Sequence, residues 1–383
     1  MGHIQKRSKD RWRARYTGPD GRERSRTFKR KIDAQRYLST VENAMLRGEW
    51  IDPERGRVTF GEWAERWFDT TVTLKPKTRL SYASLLRNVI MPTFEEIPLA
   101  RIQPLDVKEW VALGLNRGLS ASRVRQAYHL FGAIMRAAVE SGYIIKSPCI
   151  GMRLPKLPQR EMLFLSAEQV GALADAMVKP YDTLVYVLAY GGLRWGEAIA
   201  LRRGRCDLLH STLHVRESLV DVGGRLILGA TKTYANRAVS LPPFLRLRLE
   251  DHLEQHVAKD VDALVFTSPN GAPLRHQNWS RRHWARATEL AGLPRGLRIH
   301  DLRHTCASLL VQQGAHVKVV QRHLGHSTAS VTLNTYAHLF PDDTQQVVDG
   351  LENAFRASQT AHRRPEDIRG VLHVDGRDVK NGP

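Results

Sequence analysis

Hydrophobic and polar residues alternate with a period of two near the start of the chain. In RWRARYTGPDGRERSRTF, apolar residues alternate with arginines, and arginines resume at every second position after a GPDG turn: Trp12, Ala14 and Tyr16, then Arg22, Arg24 and Arg26. This pattern predicts a small antiparallel sheet with one arginine-covered face. The next segment, KIDAQRYLSTVENAMLRG, has the apolar spacing of a helix that ends at Gly48. We expect that helix to cover the other face of the sheet.

From Val58 to Gly142 the apolar residues follow a helical period. The last helical segment, SASRVRQAYHLFGAIMRAAVESG, begins at Ser120, a residue type that caps helix N-termini, and ends at Gly142. Its apolar stripe consists of Val124, Tyr128, Phe131, Ile134 and Met135. Several such helices in succession predict an all-α bundle with a core of its own.

A proline-rich connector, SPCIGMRLPKLPQR, precedes a third region. This region begins with a capping box made by Ser166 and Gln169, and three strand-like segments, STLHVRESLV, RLILGAT and RAVSLP, interrupt its helices. The sequence therefore predicts a multidomain α+β fold: a small sheet with one helix over residues 1–57, a helical bundle over 58–156, a mostly helical domain with a small antiparallel sheet over 157–360, and a loose tail over 361–383.

The net positive charge of the chain indicates what kind of molecule it binds. The chain has a formal net charge of +19 and a pI near 10.2, which favours a nucleic acid over an anionic membrane. Residues 1–31 contain twelve Lys and Arg against three Asp and Glu. We therefore expect the first domain to contact DNA, with the candidate residues Trp12, Arg13, Arg15 and Arg24; a solvated charged hairpin without a ligand is the alternative.

The cysteines and the hydropathy indicate the compartment. Cys149, Cys206 and Cys306 are far apart and form no C-x-x-C pair, so neither a disulfide framework nor a zinc ribbon is predicted. The basic N-terminus does not resemble a signal peptide, and no apolar run approaches the ~20 residues that cross a bilayer. We expect a cytoplasmic protein without membrane contact.

The stretch HDLRH places His300 and His304 four residues apart, on one face of a helix. A zinc protease would need glutamate where Asp301 stands, and Arg303 would put a cation beside the metal. We therefore predict no metal site. The stretch GRLILGATKT has the glycine spacing of a phosphate loop but has Ala230 where that loop requires lysine, so ATP binding is not predicted either.

Four motifs in the third region together resemble the tyrosine recombinase (phage integrase) family: GLRWGE, GATKT, HDLRHT and LGH followed by a tyrosine. The family's active site is Arg, Lys, His-x-x-Arg, His or Trp, and Tyr, in that order along the chain. The matching positions are Arg194, Lys232, His300, Arg303, His326 and Tyr336. Ten positions separate His326 from Tyr336, where nine is the commonest spacing in the family, but no other tyrosine follows His326.

The chemistry of a phosphodiester fits these roles. Arg194 and Arg303 can each offer paired donors to the non-bridging oxygens. We expect neighbouring cations to favour the phenolate of Tyr336, and His300 to accept its proton. Lys232 would protonate the leaving 5′-oxygen, and His326 would bind the phosphate or orient its neighbours. A covalent phosphotyrosine needs neither metal nor cofactor.

Other residues of these motifs have structural interpretations. Arg194 could simply pair with Glu197, which we interpret as a structural partner. His304 is expected to pack or to support the site rather than to react.

The resemblance implies a site-specific recombinase that integrates phage or mobile-element DNA, and excises it with an accessory factor, as a homotetramer on core-type and arm-type attachment sites. The sequence leaves open whether a host DNA-bending protein or an excisionase sets the direction. Two alternatives remain at this point: a type IB topoisomerase that relaxes supercoils, and a DNA-binding regulator that has lost catalysis.

Overall fold

The structure, a computed structural model, describes residues 2–48, 50–157, 161–230, 236–340 and 344–361. The described chain forms two compact units. The first extends to Glu161 and also includes Val220–Ile227, and the second contains the rest from Met162 onward. The division between units thus lies five residues beyond the predicted boundary at 156, and residues 1–57 and 58–156 fall in one unit. The predicted tail from 362 onward lies outside the described residues.

The first unit begins with a three-stranded antiparallel sheet and a helix. The strands are β1 (His3–Ser8), β2 (Arg11–Thr17) and β3 (Glu23–Phe28), in the order β1-β2-β3. Helix α1 (Lys31–Leu46) packs on one face, and Gly48 follows it with a positive φ of 69°. The small core between helix and sheet consists of Ala14, Tyr16, Ala34, Leu38 and Val41.

The register of β2 and β3 corrects the predicted arginine face. Residues directly opposite each other in an antiparallel pair share a face, and Ala14 pairs with Arg26 while Tyr16 pairs with Arg24. The arginines of β3 therefore lie on the side that α1 covers. The open face carries Arg13 and Arg15 instead. The sequence pattern predicted the alternation within each strand, but it carries no information on the register between the two strands.

Two of the four candidate DNA contacts belong to the helix side of the sheet. The Arg24 guanidinium pairs with Asp20 at 2.7 Å and with Asp52 at 2.5 Å, and stacks 4.8 Å from the ring centre of Trp50. Two carboxylates and an indole occupy the Arg24 guanidinium, which joins the sheet to the segment that follows α1. Its role as a DNA contact stays a prediction. Trp12 lies on the same side, with the Lys6 and Lys31 ammonium groups 5.6 and 5.5 Å from its ring.

The rest of the first unit is the predicted helical bundle. Its helices are α2 (Phe60–Asp69), α3 (Pro76–Leu85), α4 (Met91–Phe94), α5 (Pro104–Asn116) and α6 (Ala121–Glu140). Thr59 and Glu62 form a capping box at the start of α2. All five residues of the predicted α6 stripe are buried, and Phe131 packs against Phe60 and Phe94 with ring centres 5.0 and 4.6 Å apart.

The second unit is mostly helical around a small sheet. Its helices are α7 (Ala167–Asp175), α8 (Asp182–Tyr190), α9 (Trp195–Ala198), α10 (Pro243–His256), α11 (His276–Trp279), α12 (Ala285–Leu290), α13 (Asp301–Gln312), α14 (Val317–Leu324), α15 (Ala329–Tyr336) and α16 (Thr344–Ala361). Strands β4 (Cys206–Asp207), β5 (Thr212–Val215) and β8 (Arg237–Ser240) form one antiparallel sheet. Strands β6 (Glu217–Val222) and β7 (Arg225–Ala230) pair across the predicted turn at Gly223 and Gly224, which both have positive φ. The segment Val220–Ile227, which contains this turn, belongs to the first unit.

All three cysteines are free thiols. Within the described helices, none combines the length and the apolar character that a bilayer-spanning segment requires.

Candidate active site

Three arginines converge on the turn that ends α14. Gly325 caps this helix in the left-handed conformation, with φ 67° and ψ 47°, and a Cβ on this residue would lie 2.8 Å from Cδ of Arg237. Glycine is therefore required here both by the backbone and by the packing. The backbone carbonyls of residues 323–325 then accept hydrogen bonds from Arg237 Nε at 3.1 Å, Arg303 Nη2 at 2.5 Å and Arg194 Nη2 at 3.4 Å, in that order.

Arg303 lies at the centre of this group. Its side chain extends from the first turn of α13, and its Nη1 donates to the carbonyl of Gly192 at 2.5 Å while Nη2 donates to Leu324. Only 2% of the residue is exposed. Burial and the nearby charge of Arg194 lower the pKa of Arg303 to about 9, which still leaves the guanidinium charged at neutral pH. The carbonyls of Gly192 and Leu324 thus fix the plane of the Arg303 guanidinium.

Glu197 joins the other two arginines. It accepts from Arg194 Nη1 at 2.8 Å and from Arg237 Nη2 at 2.7 Å, and its carboxylate also caps the backbone N–H of Arg194 at the start of α9. Burial alone would raise the pKa of Glu197, but the hydrogen bond and charge of Arg237 and the charge of Arg194 outweigh burial and lower it to about 2. The predicted pairing of Arg194 with Glu197 is therefore present, together with a second arginine.

Replacing Glu197 with Gln is expected to lower the free energy of unfolding by about 2 kcal/mol at neutral pH, because buried Arg237 loses its charged acceptor. A carboxylate with a depressed pKa stabilises the fold above its unfolded value, here 4.5, and loses that contribution as the pH falls towards 2. Urea unfolding of the full chain at several pH values measures both effects.

Glu217→Gln is the matched control for this substitution. Glu217 pairs with Arg202 at 3.1 Å but is 36% exposed, so we expect a change within ~0.5 kcal/mol. Equal losses in the two variants would contradict the structural role of Glu197.

Tyr336 is buried beside two histidines. Its hydroxyl lies 2.8 Å from Nδ1 of His304, and its ring is stacked on His326 with centres 6.2 Å apart and planes 12° apart. The Nδ1 atom of His326 is 2.9 Å from the hydroxyl of Thr332. Burial raises the pKa of Tyr336 to about 12, although Arg303 and Arg194 act to lower it. The two arginines thus favour the phenolate as expected, but desolvation of this 1% exposed side chain outweighs them.

His300 lies at the N-terminus of α13, with its ring centre 5.0 Å from that of His304. The residue remains exposed to solvent, yet protein atoms surround the imidazole densely. This desolvation, with the charges of His304 and Arg303, lowers its pKa to about 4. His304, rather than the predicted His300, contacts the phenol.

The structure thus brings together five of the six predicted residues, namely Arg194, His300, Arg303, His326 and Tyr336. The sixth, Lys232, lies outside the described residues. Arg237 was missed; the available signal was that it opens the strand directly after the predicted Lys232 turn. The contact between His304 and the phenol was also missed, because it joins residues on two helices that are 32 positions apart along the chain.

The aspartate of HDLRH is bound by Arg298. Asp301 accepts from the backbone N–H of Arg298 at 2.7 Å and from its Nη2 at 2.6 Å. Across the ranges of chain that the structure covers, no group of three or more His, Cys, Asp or Glu side chains is arranged to hold a metal ion.

Comparison with known proteins identifies similar sequences over most of the chain. Residues 163–342 match the phage integrase family, residues 1–47 the phage integrase N-terminal domain, and residues 59–112 the phage integrase N-terminal SAM-like domain. The phiRv2 prophage integrase of Mycobacterium tuberculosis is 34% identical over 354 residues, which cover 88% of this chain and 91% of that protein.

Two solved structures share the fold. The Tn1549 transposon integrase in complex with a circular intermediate DNA superposes with a TM-score of 0.67 at 18% identity, over 76% of this chain and 99% of that one. The lambda integrase tetramer bound to a Holliday junction gives a TM-score of 0.55 at 18% identity, over 85% and 96% of the two chains.

Proposed function

This chain belongs to the phage integrase family of tyrosine recombinases, and from that premise we propose how its site cleaves DNA: Tyr336 attacks a backbone phosphorus and leaves a 3′-phosphotyrosyl bond and a free 5′-hydroxyl. The observation that carries the proposal is the burial of one tyrosine hydroxyl among two histidines, in the field of Arg303 and Arg194. The bond energy is conserved in the phosphotyrosine, so the reverse reaction can join a different strand.

The arginines bind the phosphate in this proposal. Arg194 is about one-fifth exposed, with 22% of its side chain accessible, and can turn free N–H groups to the non-bridging oxygens. Arg303 is held rigid, so its remaining donors are aimed before the substrate arrives, which is the arrangement that stabilises developing charge most effectively. His326 and the exposed His300 complete the phosphate contacts, and Lys232 is the proposed acid for the leaving 5′-oxygen.

The site-specific reaction that we propose is integration of phage or mobile-element DNA, with excision as its reverse. The prophage integrase that resembles this chain over most of its length supports this role. The tetramer on a Holliday junction formed by the structurally similar lambda integrase supports a homotetramer that joins core-type sites. We further propose that the N-terminal sheet binds arm-type sites and that the reaction takes place in the cytoplasm of a bacterial host.

The test is covalent trapping. Inverted repeats around a short shared core, found in the DNA that flanks the gene, supply a core duplex, and a nick beside the scissile phosphate lets the cleaved strand diffuse away. We expect an adduct that resists detergent and maps to Tyr336 by peptide mass. A chain that binds the duplex but yields no adduct would be the regulator. A chain that relaxes supercoiled plasmid efficiently without paired sites would be the topoisomerase, which the comparisons do not favour.

Replacing Arg13 and Arg15 together with Ala is expected to weaken binding to a short duplex by at least tenfold and to reduce the slope of log affinity against log salt by about 2, because each arginine neutralises one phosphate. Both side chains lie on the open face of the sheet, and the Nε atom of each is buried without a partner among the described residues. Fluorescence anisotropy at several salt concentrations measures the slope.

Arg26→Ala is the control for this pair, because Arg26 is exposed on the same sheet but on the helix side. We expect its salt slope to equal that of the wild type. Equal slopes for all variants would instead assign DNA contact to another surface.

A further inference from the structure

The hydrogen bond between His304 and Tyr336 joins the phenolic oxygen to a ring nitrogen that can accept its hydrogen. Burial raises the pKa of the phenol, so at neutral pH its oxygen carries the hydrogen. The pKa of His304 is lowered by burial, and by Arg298 and Arg303 against the opposing charge of Asp301, so its imidazole is neutral. With its hydrogen on Nε2, this neutral imidazole presents the lone pair of Nδ1 to the phenol, which can donate to it at 2.8 Å.

We propose that His304 is a further catalytic residue, whose Nδ1 receives the proton of Tyr336 as the phenolic oxygen attacks the scissile phosphorus. The inference rests on the proposed function. As the bond from Oη to phosphorus forms and the bond from phosphorus to the 5′-oxygen breaks, the phenolic proton passes to His304. The departing 5′-oxygen takes a proton from the separate acid, for which Lys232 is proposed, and religation reverses each transfer.

The other two histidines are less well placed for this transfer. The Nδ1 atom of His326 is engaged by Thr332, and the face of its ring, rather than a ring nitrogen, lies along the phenol. His300 lies at the exposed start of α13 and is separated from the phenol by the ring of His304, which contacts both. The arrangement leaves His300 available to bind the phosphate. It makes His304 the acceptor of the proton of the nucleophile, Tyr336.

The imidazolium formed on His304 has a compensating charge nearby. Asp301 lies one helical turn earlier, is only 1% exposed, and is the group that acts to raise the pKa of His304. Arg298 fixes this carboxylate through its backbone N–H and its guanidinium. Proton uptake therefore occurs next to a positioned anion, which favours transfer from a weakly acidic phenol.

Two substrates distinguish two possible roles of His304: a base that takes the proton of the nucleophile and an acid that protonates the leaving group. One is the nicked core duplex with its ordinary phosphate. The other has sulfur in place of the bridging 5′-oxygen, and its thiolate leaves without a proton. His304→Asn retains an acceptor oxygen close to the position of Nδ1 but cannot take up a proton. We expect cleavage by this variant to slow about 100-fold on both substrates.

Each alternative result overturns the inference. If the cleavage rate of His304→Asn recovers on the sulfur substrate, His304 acts as the acid that protonates the leaving group. If the variant cleaves both substrates at the wild-type rate, His304 only positions Tyr336. His304→Gln, whose acceptor is displaced, provides a second variant if His304→Asn unfolds, and Lys232→Ala shows the recovery expected of a lost acid. A wild-type chain that forms no adduct would instead contradict the proposed function itself.

Discussion

Tyr336→Phe should form no covalent adduct with the nicked core duplex, a loss of at least ~10⁴-fold, because no other described group is placed to attack where this hydroxyl lies. DNA affinity should stay within about twofold of the wild type, since phosphate contacts and not the phenol supply it. The fold should lose only about 1 kcal/mol, the value of one buried hydrogen bond to His304. Detergent gels, anisotropy and urea unfolding measure the three quantities.

Tyr181→Phe is the matched control in the same unit. Tyr181 is also buried, and its hydroxyl donates to the carbonyl of Thr267 at 3.2 Å. We expect a similar loss of stability with adduct formation unchanged. An adduct that persists in Tyr336→Phe would mean that another residue is the nucleophile, and the proposed geometry of attack would have to be abandoned.

Arg303→Lys is expected to reduce the single-turnover cleavage rate by roughly 10²–10³-fold and the free energy of unfolding by about 2 kcal/mol. The guanidinium donates from two nitrogens to carbonyls on two elements, at Gly192 and Leu324, and a lysine ammonium cannot reach both in one geometry. One buried carbonyl is then left without its donor, and the phosphate donors are no longer held in a fixed plane. Quench-flow on the trapped duplex and urea unfolding measure the two losses.

Arg246→Lys is the control for the same chemical change. Arg246 pairs with Glu250 on the surface of α10 at 3.0 Å, with 30% of its side chain exposed, so both rate and stability should remain close to the wild type. Cleavage at the wild-type rate by Arg303→Lys would show that the Arg303 guanidinium stabilises the fold but does not contribute to catalysis.

Local rules predicted the parts of the fold and site that depend on neighbouring residues. Ser166 and Gln169 form the predicted capping box, and the α6 stripe is buried because helical periodicity is a local property. That Arg194, Arg303, His326 and Tyr336 would meet was implied by resemblance to a family and not by periodicity or spacing.

Properties that depend on distant pairing could not be predicted in the same way. The side of the sheet on which Arg24 lies depends on a register that neither strand encodes alone. The contacts of Arg237 with Glu197 and with the carbonyl of His323 span 40 and 86 residues. The raised pKa of Tyr336 was missed because the sequence lists nearby cations but does not give the desolvation that the fold imposes.

Among the residues that the structure describes, the proposed catalytic centre has one carboxylate for its three guanidiniums, since Glu197 serves Arg194 and Arg237 while Arg303 is held by carbonyl dipoles. The three guanidiniums therefore carry more positive charge than the one carboxylate balances, and in the proposed function the scissile phosphodiester supplies the additional negative charge. On that proposal, repulsion among the arginines is already present in the folded free protein, and binding of the DNA backbone relieves it by completing the ion cluster.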